Sequence, residues 1–154
     1  MIDKEKIQEI VENIIDPKRQ FVVNIAVKPG NKIVVTIDDF NGVNLEDCAE
    51  ISRKIETKLD RGIEDFELEV TSPGLTQPFL VLQQYYKNLN KDIDVLLNEG
   101  IKIRARLISV NEKGIEVESE KIIRLEKGKK KQLSIEKRFI EFEKIKNTKI
   151  VLPF

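Results

Sequence analysis

The chain has no histidine, no tryptophan, one methionine and one cysteine among its 154 residues. Without histidine there is no imidazole-based triad or metal centre. Cys48 has no partner for an internal disulfide and no histidine base to activate its thiol. This cysteine usage fits a reduced, cytoplasmic setting. No apolar run approaches the roughly 18 residues of a membrane span, so no membrane partner is expected. The opening MIDKEKIQEI reads as an amphipathic helix, not a signal peptide. Neither a P-loop nor a dinucleotide-binding glycine motif occurs. Asp39, Asn41 and Gly42 match three positions of a calcium-loop frame, but Ile37 and Cys48 occupy its first and twelfth positions, where carboxylates are needed. The expectation is a protein that is not an enzyme and uses no cofactor, metal or small-molecule substrate.

What the chain does have is charge, at 35% of its residues, beside 40% apolar residues, enough for packed cores. The formal balance of zero conceals a split. Residues 1–80 hold 10 Lys/Arg and 16 Asp/Glu, a net of −6, and residues 81–154 hold 17 and 11, a net of +6. Such asymmetry fits two surfaces with different partners, and equally two halves that attract each other.

The first half reads helix-strand-strand-helix-strand. Ile7, Ile10, Val11, Ile14 and Ile15 recur at helical spacing, and Asp16-Pro17 ends the run. Phe21, Val23, Ile25 and Val27 alternate as a strand. Lys28-Pro29-Gly30-Asn31 turns into Ile33, Val35 and Ile37, making a hairpin. Asp38 to Asn44 reads as a polar loop. Asn44 is placed to cap a helix, with Glu46 and Asp47 in its first turn. Leu45, Cys48, Ala49, Ser52, Ile55 and Leu59 form its expected apolar stripe, and Gly62 its C-terminal cap. Cys48 is thus expected to be a small core residue.

A third strand follows, with Phe66, Leu68 and Val70 on one face. It runs into Ser72-Pro73-Gly74, where Pro73-Gly74 suits a type II turn with Gly74 at positive φ. Gln77 and Pro78 continue this joint between two domains. The stretch LEVTSPGL resembles the LEVSSPGL signature of the ribosome maturation factor RimP family. Upstream, NGVNLEDCAEISRKIETKLD is similar to the family's DGIN-x-DDCA segment and following helix, and the closing Val151-Leu152-Pro153-Phe154 is similar to its LVP-x-F. Where many members continue with Asp-Arg-Pro-Leu, this chain has Thr76-Gln77-Pro78-Phe79. A role of that charged pair does not carry over. The resemblance implies a cytoplasmic assembly factor for the small ribosomal subunit. It also implies contact with ribosomal RNA and with a small-subunit protein near the decoding centre.

Residues 81–90 read as a linker with a short helix, in which Tyr85 and Tyr86 either pack or stack on bases. From Asp92 the period is two. Ile93, Val95 and Leu97 make one strand, and Ile101, Ile103, Ala105 and Leu107 the next. Asn111-Glu112-Lys113-Gly114 reads as a turn leading to Ile115 and Val117, and a three-residue loop with Gly114 left-handed would set Asn111 opposite Ile115. Leu133-Ser134-Ile135, then Phe139, Ile140 and Phe142, and a last strand from Lys149 to Leu152 complete about five strands.

The expected fold is α+β in two small domains. The first, residues 1–80, is an acidic α-β-β-α-β two-layer sandwich of KH-like appearance. The second, residues 91–154, is a basic all-β SH3-like or Sm-like barrel. Two groups are candidates for RNA or ribosome binding. Lys102, Arg104 and Arg106 line one strand face, where they face possible partners Glu116, Glu118 and Glu120. Lys127, Lys129, Lys130 and Lys131 cluster around Gly128 at a hairpin tip, with Lys137 and Arg138 nearby. The protein is expected to be a monomer. The alternative is an Sm-like module acting on small or messenger RNA away from the ribosome.

Overall fold

The computed structural model describes residues 2–59, 65–124 and 131–152, with the side chains of 121–133 left undescribed. It divides into two compact units, Met1–Gly74 and Leu75–Phe154. The first contains α1 (Lys4–Ile14), β1 (Gln20–Lys28), β2 (Lys32–Asp39), α2 (Leu45–Lys58) and β3 (Glu67–Thr71). The second contains α3 (Leu82–Lys87), β4 (Asp92–Leu97), β5 (Lys102–Val110), β6 (Gly114–Arg124), β7 (Lys131–Glu141), one 3-10 turn at Phe142–Lys144, and β8 (Ile145–Ile150).

In the first unit β1 and β2 form the expected hairpin, and α2 carries the chain across to β3, which joins β2 in parallel. The core brings Ile7, Val11 and Ile15 of the first helix region against Ile51 and Ile55 of α2 and Ile25, Ile33, Val35 and Ile37 of the sheet. Each such side chain contributes about 1.5–3 kcal/mol by leaving water. Both helix starts are capped from the sequence: Asp3 Oδ1 accepts from the Glu5 amide at 3.0 Å, and Asn44 Oδ1 from the Asp47 amide at 2.8 Å.

Three expectations for this half change. A bulge between Val22 and Asn24 adds a residue, so Val22 lies opposite the core residue Ile37 and Phe21 opposite Asp38. One extra residue flips the parity of everything before it. Phe21 therefore leaves the face of Ile25 and packs on Phe40, with ring centroids 5.0 Å apart. Secondly, Asp38 and Asp39 belong to β2 and are buried. Thirdly, the buried face of α2 is Cys48, Ile51 and Ile55, while Leu45 is 89% exposed and Ala49 is also exposed. Gly62, expected as the cap, lies outside the described residues.

The second unit is a five-stranded antiparallel sheet in the order β7-β6-β5-β4-β8. Its core joins Ile93, Val95, Leu97, Ala105, Leu107, Ile115, Val117 and Ile140. Helix α3, read from the sequence as part of a linker, is seated on this core through Tyr85. The Tyr85 hydroxyl donates to Thr148 Oγ1 at 2.7 Å, and its ring meets Phe79 edge-on. Tyr85 thus packs, whereas Tyr86 stays exposed and its hydroxyl donates to the Val110 carbonyl at 3.3 Å. Gln84 Oε1 accepts from the amides of Leu80 and Val81, holding the start of α3. The last strand begins at Ile145, four residues before the expected start, and Ile101 lies outside β5, exposed.

Gly114 is also corrected. It opens β6 and is not among the glycines at positive φ. The turn is held instead by Asn111 Oδ1, which accepts from the Lys113 and Gly114 amides at 2.8 and 3.0 Å. Glycine is needed there for room. A β-carbon would press on the Ile140 carbonyl oxygen and lie 2.9 Å from Glu141 Cα.

Candidate nucleic-acid interface

Lys102, Arg104 and Arg106 stand exposed on β5, as its period of two requires. The neighbouring strands answer Arg104 and Arg106 with acids, while Lys102 lies opposite Leu96. Arg106 lies opposite Asp92 on β4 and Glu118 on β6, and Glu118 in turn opposite Lys137 on β7. Arg104 lies opposite Asp94, which faces Lys149 of β8 from its other side. Arg104 holds Asp94 through two bonds, Nε to Oδ1 at 2.8 Å and Nη2 to Oδ2 at 3.0 Å. This hydrogen bonding is the main reason that the Asp94 carboxyl titrates below its usual range and the Arg104 guanidinium above.

The expected pairing with Glu116, Glu118 and Glu120 is therefore realised in register at Glu118 alone. A bulge between Leu107 and Ser109 puts Ser109 opposite Glu116, whose carboxylate accepts from the Ser109 hydroxyl at 3.3 Å. Glu120 lies opposite Ile135 on β7. Arg104 and Arg106 are thus matched by acids within their own sheet, in exposed pairs that contribute little to stability.

Arg138, on β7 opposite Val117, is exposed. It lines a cleft of about 340 Å³ with Phe139, Lys144, Asn98 and Glu99. Asn98 is fixed there, its amide donating to the Lys144 carbonyl and its Nδ2 to the Glu143 carbonyl. Nearby, contact with the Glu141 carboxyl pushes up the titration of Glu143.

The lysine cluster has a different setting. β5 pairs with β6 only as far as Glu118, but β6 and β7 stay paired through to Arg124 opposite Lys131. Six further residue pairs at about 3.4 Å per residue make a two-stranded ribbon about 20 Å long. Lys131 is its last paired residue on β7. Lys127, Lys129 and Lys130 lie outside the described residues. Residues 121–131 hold six Lys/Arg against Glu126 alone, and the rest of the second half holds 11 against 10. The positive excess of that half is thus concentrated in this one short segment.

At the joint, Ser72, Gly74 and Gln77 are exposed and Pro73 and Pro78 half-buried. The expected type II turn at Pro73-Gly74 is not formed, because Gly74 is not among the glycines at positive φ, and the chain turns at Leu75-Thr76. Immediately after it, the Phe79 amide donates to the Thr148 carbonyl at 2.8 Å.

Two features were not foreseen. Asp39, 1% exposed, receives Arg19 Nη1 at 3.0 Å and the Asn41 amide at 2.8 Å. Its position straight after an alternating strand was the available signal. Leu45 borders a cleft with Val43, Cys48 and Val70. Cys48 is buried, and burial, with Asp47 beside it, raises the titration of its thiol. Among the described residues no group of three or more His, Cys, Asp or Glu side chains is placed to hold a metal ion, and no helix is long and apolar enough to cross a membrane.

Comparison with known proteins assigns the chain. Residues 7–76 match the RimP N-terminal domain. Over 132 residues the chain is 40% identical to the ribosome maturation factor RimP of Porphyromonas gingivalis, covering 86% of this chain and 87% of that protein. It is 32% identical over 155 aligned positions, the whole of both chains, to the ribosome maturation factor RimP of Flavobacterium psychrophilum. The RimP of Cytophaga hutchinsonii is 30% identical over 97% of this chain and 96% of its own. The match to the RimP N-terminal domain and the end-to-end similarity to these relatives show that this chain belongs to the RimP family of ribosome maturation factors.

Proposed function

We propose that this protein is a non-enzymatic, cytoplasmic assembly factor that binds the free small ribosomal subunit or its precursor transiently. The similarity to ribosome maturation factors along its whole length carries this reading. In it, the first unit is a two-layer sandwich that contacts a small-subunit protein near the decoding centre. The second is an SH3-like or Sm-like barrel whose ribbon end, with Lys129, Lys130 and Lys131, neutralises ribosomal RNA phosphates. Charge supports this division, since the acidic half repels phosphate and the positive excess sits in residues 121–131. The protein acts as a monomer.

Co-sedimentation with separated small subunits, large subunits and whole ribosomes at about 0.15 M salt tests the proposal, because screening at that ionic strength suppresses loose charge contacts. Recovery with free small subunits alone is expected. Recovery with none of the three, with tight binding to naked RNA, would overturn it in favour of an Sm-like module working outside the ribosome. Reversing Lys129, Lys130 and Lys131 to Glu is expected to weaken subunit binding and to flatten its salt dependence, the slope falling by about one for each phosphate no longer neutralised. Unchanged binding at every salt concentration would remove this cluster from the interface.

A further inference from the structure

Among the described residues, the first unit leaves one strand edge without a strand partner beside a cleft. β3 is the outer strand of its sheet, and among the described residues β2 is its only strand partner. The Glu67 amide donates to the Asn31 carbonyl, on the side of β2. Main-chain groups alternate in direction along a strand, so those of Leu68 and Val70 point to the open edge. Such an edge is a template for a further strand.

The end of β3 borders a cleft of about 690 Å³, walled by Val43, Leu45, Cys48 and Val70 with Glu46 and Ser72 at its polar margin. Leu45 is almost wholly exposed here, although it opens a helix. The charges beside this edge have mostly one sign. Glu67 and Glu69 are exposed on the outward face of β3, and Glu46 and Asp47 lie in the first turn of α2. Lys32 faces Glu67 in register, while Glu69 faces Val34.

We propose that the β3 edge and this cleft bind an extended, lysine- or arginine-rich segment of a protein partner. The segment's main chain adds to β3 at Leu68 and Val70. Alternate cations meet Glu67 and Glu69, and one apolar side chain enters the cleft beside Leu45. This is strand addition, in which main-chain bonds supply affinity and a side-chain pocket supplies selectivity. A nucleic acid is disfavoured, because its phosphates would meet Glu46, Glu67 and Glu69. The inference rests on the reading that the acidic unit contacts protein, and goes further by naming the edge and the chemistry of the segment.

The test uses the full-length protein and a synthetic twelve-residue peptide alternating lysine with valine, with one leucine at its centre. Affinity is read by fluorescence anisotropy and the site by amide and methyl NMR shifts. Binding is expected to shift the Leu68 and Val70 amides and the Leu45 methyls. The Glu67→Lys, Glu69→Lys double variant is expected to lose at least about tenfold in affinity. Leu45→Ser, at an exposed position that leaves the core intact, is expected to lose several-fold at 0.3 M salt, where charge attraction is screened. A peptide with glutamate for lysine, and a uridine twelve-mer, are expected to bind far more weakly. The proposal is overturned if the shifts miss β3, if both variants bind as the parent does, or if the uridine oligomer competes equally. Co-sedimentation of the same variants separates the two readings: a peptide that fails while subunit binding persists removes this site and leaves the assembly role standing.

Discussion

Each unit has an aspartate held by an arginine, and the two pairs are built differently. In the second unit Arg104 grips Asp94 with two bonds of 2.8 and 3.0 Å, yet the side chains are 68% and 40% exposed. In the first, Arg19 reaches Asp39 through one bond of 3.0 Å, but the aspartate is 1% exposed. Geometry favours the exposed pair and burial the other. Burial decides the energetics, because an exposed pair exchanges good hydration for a screened attraction, whereas a buried carboxylate that loses its cation has nothing to replace it. The same contrast runs through the sheet surfaces. The second unit sets acid beside base in rows such as Asp92, Arg106, Glu118 and Lys137, while β3 presents Glu69 opposite an uncharged valine. The first arrangement satisfies its charges within the sheet, whereas Glu69 has no charge opposite it on β2.

The largest expected effect strikes the second unit alone. Gly114→Val should destabilise it by roughly 3 kcal/mol, since the new side chain meets main chain that has no rotamer to change. Hydrogen exchange resolved by segment would show faster exchange in β5 to β7 with β1 to β3 unchanged. Equal acceleration in both would mean that the units do not open separately. Arg19→Ala comes next, at about 2 kcal/mol. The value lies below that for a fully buried pair because the Asn41 amide remains on Asp39. Denaturant titration beside Arg104→Ala tests the contrast directly, and it fails if the Arg104 variant loses as much.

Tyr85→Phe should cost about 1 kcal/mol by depriving the buried Thr148 of its hydroxyl partner. Measured in thermal melts, a neutral result would mean that Thr148 finds another partner. The smallest effect is that of Asp94→Asn, below about 1 kcal/mol because both groups are exposed. Its pH dependence carries the information. The Asp94 titration is depressed by Arg104, so its contribution is present above the ordinary value of 3.8 and fades as pH falls through the lower folded value. The stability difference between parent and variant should stay constant from pH 7 to 5 and close only in stronger acid. A difference that vanished near neutrality would contradict the assignment.

Much of the architecture was legible in short stretches of sequence. Strand alternation in Ile33, Val35, Ile37 and in Ile93, Val95, Leu97 placed two strands whose inward residues are all buried. The Asn44 cap and the Asp16-Pro17 stop placed helix ends. The LEVTSPGL stretch pointed to the family that the comparisons bear out. These signals are local, because a cap, a period or a signature is complete within a few residues.

The tertiary structure decided what depends on a second piece of chain. Two bulges reversed which residues share a face, and no single strand encodes the partner against which a bulge is defined. Arg104 took Asp94, which lies opposite it on β4, because the pairing of β5 with β6 stops at Arg106 and Glu118 and sets no glutamate opposite Arg104. Ile51 replaced Leu45 on the buried face of α2, since the face a helix hides depends on where the sheet lies. Gly114 is required by the closeness of β7, not by its own φ. The sequence by itself determined the elements, their order and the sign of each half's charge, through interactions spanning a few residues. Register, burial and the pairing of charges were settled only when distant strands met.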